Sequence, residues 1–101
     1  MALETGIKGK AGFTVENQHT AKSLRSGGLD VLATPMMVAL MEEAALTSVR
    51  PYLDEGMDTV GTSISVSHLS PTPVGLKAWA ESELVEIDRR RLVFSVKAYD
   101  E

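Results

Sequence analysis

The stretch that decides the fold reads Thr34-Pro35-Met36-Met37-Val38-Ala39-Leu40-Met41. Threonine is a favoured helix N-cap, and proline suits the first helical position because its missing N–H would be unpaired there anyway. The helix is predicted to run to about Arg50, since a cation suits the negative end of the helix dipole and Pro51 prevents much continuation. Because the stretch is apolar on nearly every face, we predict a central helix enclosed by sheet.

The sequence on both sides of this helix predicts β-strands. Residues 12–20 are expected to form a first strand, because Phe13 and Val15 alternate with polar neighbours. A loop with two glycines is expected over residues 23–28. After the helix, residues 59–69 alternate at the period of a strand, and one face carries Val60, Thr62, Ile64, Val66 and His68.

The C-terminal third predicts two further strands, over residues 76–87 and 91–99, with a tight connection at Asp88-Arg89. A strand, a central helix and a meander of strands make an α+β pattern, with one helix against an antiparallel sheet in a single domain of residues 1–101. Asp100 and Glu101 are interpreted as a turn. A final strand pairing with residues 91–99 would be expected after it.

Composition and charge exclude several classes of function. The net charge is -4, and the ten basic residues form no dominant patch apart from Arg89–Arg91, so we expect no nucleic-acid partner. Without cysteine the chain has no disulfide, thiol nucleophile or cysteine-ligated metal, which fits a reducing cytoplasm. Residues 31–46 are too short for a membrane span, and residues 1–4 do not resemble a secretory signal. Nucleotide-binding glycine motifs, a metal-binding histidine pair and a Gly-x-Ser-x-Gly elbow are all absent from the sequence.

Glu42 is the first candidate for chemistry, because it interrupts an apolar helix. Val38 and Leu46 lie on the adjacent turns, so we expect burial to raise the pKa of the Glu42 carboxyl and to favour a role as acid or base. The alternative is that Glu42 and Glu43 both lie on a solvent-exposed face of the helix. Periodicity alone does not decide between them.

His68, Thr34 and Gly61 are further candidates, each with a structural explanation beside the functional one. His68 should project toward the helix, where it could orient a carboxylate or donate a proton, although a single histidine at a strand end is more often structural. Thr34 is explained by N-capping, and its hydroxyl is a weak nucleophile unless a base activates it. The free N–H groups at the helix N-terminus could hold an oxyanion. Gly61 would allow a ligand close to the backbone, or would mark a bulge.

Taken together, residues 33–44, 60–68 and 71–75 resemble the hotdog-fold thioesterase superfamily, and within it the fluoroacetyl-CoA thioesterase-like branch. The resemblance implies a hotdog fold, a sheet wrapped around one long central helix, in a homodimer whose active sites lie at the subunit interface. It also implies hydrolysis of an acyl-CoA thioester to free acid and CoA, with CoA as part of the substrate and no separate cofactor or metal. By position, Thr34, Glu42 and His68 match the catalytic residues of the branch, and Gly61 and Pro35 are assigned to the substrate site.

The sequence departs from the branch in two places. The segment between His19 and Thr34 is shorter and has no phenylalanine, so the resemblance does not extend to an aromatic lid or to narrow specificity. The final strand is also absent. Thr34 and Glu42 should lie about 12 Å apart along an ideal helix. Either the regular helix begins after Thr34, or substrate or water bridges the two residues, or a dimer brings groups from two chains together.

Two other functions fit the same residues. One is a non-catalytic acyl-CoA-binding or regulatory hotdog dimer, and the other is a hotdog enoyl-CoA hydratase or dehydratase. Binding without thiol release would select the first, and hydration of an enoyl-CoA with the thioester left intact would select the second.

Overall fold

Three antiparallel strands and one long helix make up the computed structural model, which describes residues 3–101. Along the chain the elements are β1 (Lys8–Thr14), α1 (Ala21–Leu24), α2 (Thr34–Val49), β2 (Lys77–Asp88) and β3 (Arg91–Asp100). The strands lie in the order β1-β2-β3. The α+β prediction, with one long helix against an antiparallel sheet, is confirmed.

Helix α2 begins differently from the prediction. Ala33 is the N-cap, and Thr34 is already helical with Pro35 directly after it. The N–H groups of Met36 and Met37 both donate to the carbonyl of Ala33, at 3.0 Å each. The prediction that Thr34 caps the helix is therefore wrong, and its hydroxyl is available for another partner. At the other end, Val49 is followed by a 3-10 turn, Arg50–Tyr52, close to the predicted stop.

The core lies between α2 and the inner face of the sheet. Its buried members are Val15, Leu32, Met37, Leu40, Met41, Ala44, Ala78 and Ala80. The helix comes close to the sheet at Gly9, where an added Cβ would lie 2.6 Å from the Cβ of Ser48 on α2 and 2.8 Å from Oγ of Ser82 on β2. This approach tolerates no side chain at position 9.

Strand β1 lies earlier in the chain than predicted, at residues 8–14 rather than 12–20. Past Thr14, the chain turns through a short 3-10 helix over Asn17–His19. Thr20 then caps α1, because its hydroxyl oxygen accepts from the N–H of Ser23 at 3.1 Å. The loop predicted over residues 23–28 overlaps the end of α1. The helix ends at Leu24, and Arg25, its C-cap, has a φ of 61°.

The β2–β3 hairpin confirms the two predicted C-terminal strands. Its turn contains Arg89 in the left-handed region, with φ 59°. The register shifts between Leu84 and Glu86, so Val85 forms a bulge. Asp100 is the last residue of β3. The prediction that it belongs to a turn is wrong.

Residues 58–70, called segment 58–70 below, are the main departure from prediction. Residues 59–69 were expected to form a strand, and they form none. Within residues 3–101, no backbone–backbone hydrogen bond joins residues 59–70 to another part of the chain. A cavity of about 1710 Å³ lies between this segment and β3, with α2 as its floor. The edge of β3 lies across that cavity from the segment.

Side chains, rather than backbone bonds, hold segment 58–70 beside α2. Arg50 pairs with Asp58 at 3.2 Å, the Glu42 carboxylate lies against Gly61, and Thr34 contacts His68 at 2.8 Å. Across these three contacts the residue numbers decrease along α2 and increase along the segment, so the segment runs antiparallel to α2. Sixteen helical residues rise about 24 Å, against a maximum of about 35 Å for ten extended residues, so the segment can pass along the whole helix without being fully extended.

In the part of the chain that the structure describes, no helix is both long and apolar enough to cross a membrane.

Candidate active site

Thr34 and His68 meet at the N-terminal end of α2. Oγ1 of Thr34 lies 2.8 Å from Nδ1 of His68, across 34 positions of sequence. The threonine is exposed and the histidine half-buried. The hydroxyl donates when Nδ1 carries no proton, and that imidazole nitrogen is then positioned to accept the hydroxyl proton. The structure thus brings together two of the three predicted catalytic residues.

Glu42 lies two turns further along α2, beside Gly61. A Cβ built on Gly61 would lie 3.2 Å from the carboxyl carbon of Glu42 and closer still to its Oε2, so only glycine leaves room for this carboxylate. The prediction of a buried Glu42 is wrong for the single chain, because the residue is exposed. The sheet covers the opposite side of α2, while only the thin segment 58–70 passes Glu42.

The two parts of the site are not in contact. Among residues 3–101, Glu42 makes no hydrogen bond to Thr34 or His68. Eight helical residues separate Thr34 from Glu42, which corresponds to about 12 Å along the axis, as the sequence predicted. A ligand that engages both parts must therefore lie along the junction between α2 and residues 61–68.

The large cavity and this junction overlap only in part. Glu42, Gly61 and His68 line the cavity, whereas Thr34 and Pro35 do not. Because the Thr34–His68 hydrogen bond lies outside it, we take the junction rather than the cavity as the candidate site. Pro35 is exposed, and its assignment to substrate binding stays a prediction.

The first turn of α2 presents one unpaired backbone donor. Pro35 has no N–H, and those of Met36 and Met37 are used by Ala33. Within the described residues the N–H of Thr34 has no backbone partner. It lies beside the Thr34 hydroxyl and at the positive end of the helix dipole, where negative charge is stabilised.

An ion pair between Asp58 and Arg50 lies at the C-terminal end of α2. The backbone N–H of Thr59 donates to the Asp58 carboxylate at 2.9 Å and is the main reason that the pKa of Asp58 lies below its ordinary value, with Arg50 adding to the effect. Across residues 3–101 no group of three or more histidine, aspartate or glutamate side chains could hold a metal ion.

This chain is similar to known proteins in both sequence and fold. The model of the fluoroacetyl-CoA-specific thioesterase family, FlK, matches residues 15–101. This chain belongs to that family. A fluoroacetyl-CoA thioesterase of Streptantibioticus cattleyicolor is 42% identical over 71 residues, which are 70% of this chain and 51% of that protein. The chain therefore spans about half the length of the curated relative that it matches.

Solved structures related to the family share the fold. A variant of the fluoroacetyl-CoA-specific thioesterase FlK, in complex with fluoroacetate and CoA, is 34% identical with a TM-score of 0.90 over 97% of this chain and 83% of that one. A hot-dog-like protein from Thermanaerovibrio acidaminovorans is 25% identical with a TM-score of 0.84 over 95% and 71% of the two chains. The predicted hotdog architecture and family are confirmed.

Sequence reasoning missed one polar contact near the site. The hydroxyl of Thr72 donates to Oδ2 of Asp100 at 2.6 Å, and Thr72 is buried. The available signal was the placement of Thr72 between Pro71 and Pro73, which restricts the backbone on both sides. No local pattern connected it with a residue 28 positions away.

Proposed function

We propose that this chain is an acyl-CoA thioesterase, which hydrolyses an acyl-CoA thioester to a free acid and CoA. The observation that carries the proposal is the 2.8 Å contact between Oγ1 of Thr34 and Nδ1 of His68 at the N-terminus of α2. A hydroxyl paired with an imidazole is the arrangement that activates a weak oxygen nucleophile. Membership of a thioesterase family supports the choice of a thioester as the bond that is attacked.

In the proposed first step the Thr34 hydroxyl gives its proton to Nδ1 of His68 and attacks the thioester carbonyl carbon. The N–H of Thr34 stabilises the oxyanion that forms, because it lies beside the same hydroxyl at the positive end of the helix. The carbon–sulfur bond then breaks, and His68 returns the proton to the departing CoA sulfur. The acyl group is left as an ester on Thr34.

Glu42 is proposed to act as the base toward water. A water molecule loses a proton to the Glu42 carboxylate and attacks the acyl carbon. The same proton then passes from Glu42 to the Thr34 oxygen as it leaves, which regenerates both groups and releases the free acid. Direct attack of this water on the thioester, without an acyl–threonine, is the alternative route. Since Glu42 lies about 12 Å along the helix from Thr34, a chain of hydrogen-bonded water molecules along the junction must carry the proton between them.

We also propose that the chain acts as a homodimer in the cytoplasm. Segment 58–70 exposes large apolar side chains: Val60 by 83%, Ile64 by 53% and Leu69 by 90%. A second copy that covers this surface would remove apolar area from water, and would also cover the exposed Glu42 and Thr34. Sedimentation of the wild type and of Ile64→Lys checks this: we expect a dimer and a monomer, respectively. A wild-type chain that stays monomeric at all concentrations would contradict the dimer.

The test of activity is thiol release from a panel of short, branched and aromatic acyl-CoAs. We expect Glu42→Gln and His68→Ala each to lower kcat on the order of 100-fold or more, the usual size of a general acid–base contribution. The matched controls are Glu43→Gln, the adjacent helical carboxylate, and His19→Ala, the other histidine. Both should stay close to wild type.

Thiol release, measured together with acyl-CoA binding and enoyl-CoA hydration, separates the rival functions. Unchanged turnover in Glu42→Gln and in His68→Ala would rule out these catalytic roles. Acyl-CoA binding without thiol release would select a binding or regulatory protein. Hydration of an enoyl-CoA with the thioester intact would select a hydratase.

A further inference from the structure

A hydrogen bond between Thr72 and Asp100 joins the turn before β2 to the end of β3. Thr72 is only 5% exposed, and its hydroxyl donates to the Asp100 carboxylate at 2.6 Å. A hydrogen bond to a charged acceptor is stronger than a neutral one, and a buried hydroxyl without a partner is unfavourable. The contact therefore holds the end of β3 firmly against the turn that contains Thr72.

Thr72 is connected to Thr34 through the backbone that enters α2. The carbonyl of Thr72 accepts from the N–H of Leu32 at 2.8 Å, and Val31 forms an isolated bridge with Pro73. Leu32 is 4% exposed and lies two residues before Thr34. A shift of Thr72 would therefore move the residues that determine where the helix begins.

Thr72 is also connected to His68 by a short and stiff span. Only Leu69, Ser70 and Pro71 separate the two residues. The ring of Pro71 fixes its own φ, and the prolines at positions 71 and 73 restrict the residues before them. Since residues 59–70 make no backbone–backbone hydrogen bond within residues 3–101, this span is the nearest backbone support for His68.

We propose that Asp100 is a positioning residue that acts through Thr72 to hold Thr34 and His68 at hydrogen-bonding distance. Asp100 lines the large cavity and does not contact Thr34 or His68 itself. Its carboxylate fixes one residue, Thr72, whose backbone leads to both members of the pair. The kinetic part of this inference rests on the proposed thioester hydrolysis, whereas the structural part does not.

Four variants test the proposal. Thr72→Val removes the hydroxyl at nearly constant shape, and Asp100→Ala removes the acceptor. Thr72→Ser and Asp100→Asn each retain the group that makes the hydrogen bond. We expect the first two to lower kcat on the order of tenfold or more with little change in KM, because misplacing reacting groups by less than an ångström is costly. Thr72→Ser and Asp100→Asn should each keep most of the wild-type kcat. A fifth variant, the double substitution Thr72→Val/Asp100→Ala, should have a kcat no lower than that of either single variant.

A spectroscopic readout is independent of any activity. The chain has two histidines, so long-range proton–nitrogen NMR spectra at one fixed pH contain two imidazoles, distinguished by His68→Gln. Nδ1 of His19 accepts from the N–H of Glu16 at 2.9 Å and serves as the internal reference. We expect Thr72→Val and Asp100→Ala to shift the Nδ1 resonance of His68 and not that of His19.

A matched control is Thr47→Val, which removes another helix-associated hydroxyl that donates to the carbonyl of Glu43 at 2.8 Å. It should alter neither kcat nor the His68 resonance. An unchanged His68 resonance in folded Asp100→Ala would overturn the inference, as would thermal destabilisation with no change in kcat. If the wild type hydrolyses no acyl-CoA, the proposed function fails while the NMR result still decides the positioning role.

Discussion

Strand β2 and segment 58–70 have similar alternating sequences and opposite surroundings. In β2 every second residue is buried, over Ala78, Ala80, Ser82 and Leu84, because that face lies toward α2, while β1 and β3 pair with the two edges of the strand. Segment 58–70 has no backbone partner within residues 3–101, and most of its residues are exposed. Alternation therefore indicates that a stretch has an apolar face, but burial of that face requires another element packed against it, and the backbone of the stretch requires hydrogen-bond partners at its edges.

Amide hydrogen exchange should show the largest difference between the two regions. Amides of β2 require unfolding of the sheet to exchange, so we expect them to be slower than those of residues 60–67 by on the order of 1,000-fold or more. The measurement is residue-resolved exchange at concentrations where sedimentation shows monomers. Equal protection of both regions would mean that the segment is paired, and the comparison would no longer hold.

Truncating a matched apolar side chain in each region should give the next largest effect. Leu84 is fully buried and Ile64 is 53% exposed. We expect Leu84→Ala to lower the free energy of unfolding by about 2–5 kcal/mol, and Ile64→Ala by less than about 0.5 kcal/mol. Urea unfolding of dilute protein measures both. A large cost for Ile64→Ala that grows with protein concentration would place this side chain in a dimer interface.

The glycines of the two regions should separate stability from activity. Gly9→Ala forces a side chain against the backbone of α2, so we expect a loss of about 1–3 kcal/mol of unfolding free energy and unchanged turnover per folded molecule. Gly61→Ala meets a flexible carboxylate end instead, so the stability loss should be smaller while turnover falls because Glu42 is displaced. Thermal unfolding and thiol release together check the pair. Intact turnover in Gly61→Ala would remove the reason for assigning Gly61 to the site.

The smallest effect is expected at Asp58, where segment 58–70 begins. Its pKa is lower in the folded chain, so the carboxylate favours folding above its unfolded pKa of about 3.9 and this contribution is lost as the pH falls through the folded value. Asp58→Asn should therefore unfold at a slightly lower temperature than wild type at pH 7, and this difference should shrink as the pH falls below about 4. Asp54→Asn is the control and should show no such convergence. A difference that persists at low pH would show that charge is not its cause.

Local patterns predicted the elements whose partners are close in sequence. Strands β2 and β3 form a hairpin, so their alternation and turn residues contain most of the information needed to place them. Helix α2 was predicted because proline and an apolar stretch set its start and its burial. The bounds of β1 were wrong, because its inward positions 9 and 11 are glycine and alanine, which conceal the apolar alternation. Those small residues are required by the closeness of α2.

The candidate site was predicted less completely, since its geometry depends on distant contacts. A hydroxyl that follows the N-cap can bond to a histidine 34 residues away only because segment 58–70 returns along α2. The exposure of Glu42 depends on which side of the helix the sheet covers, and helical periodicity did not determine that. The Thr72–Asp100 contact joins a turn to the end of a strand that was itself interpreted as a turn.

Pro35 has a consequence for the number of donors available at the helix end. An oxyanion in acyl transfer is commonly held by two hydrogen-bond donors. The first turn of α2 provides one, the N–H of Thr34, because proline supplies none and Ala33 uses the next two. A thioester carbonyl bound here would thus need its second donor from outside α2, and the strength of transition-state binding would depend on how segment 58–70 is held.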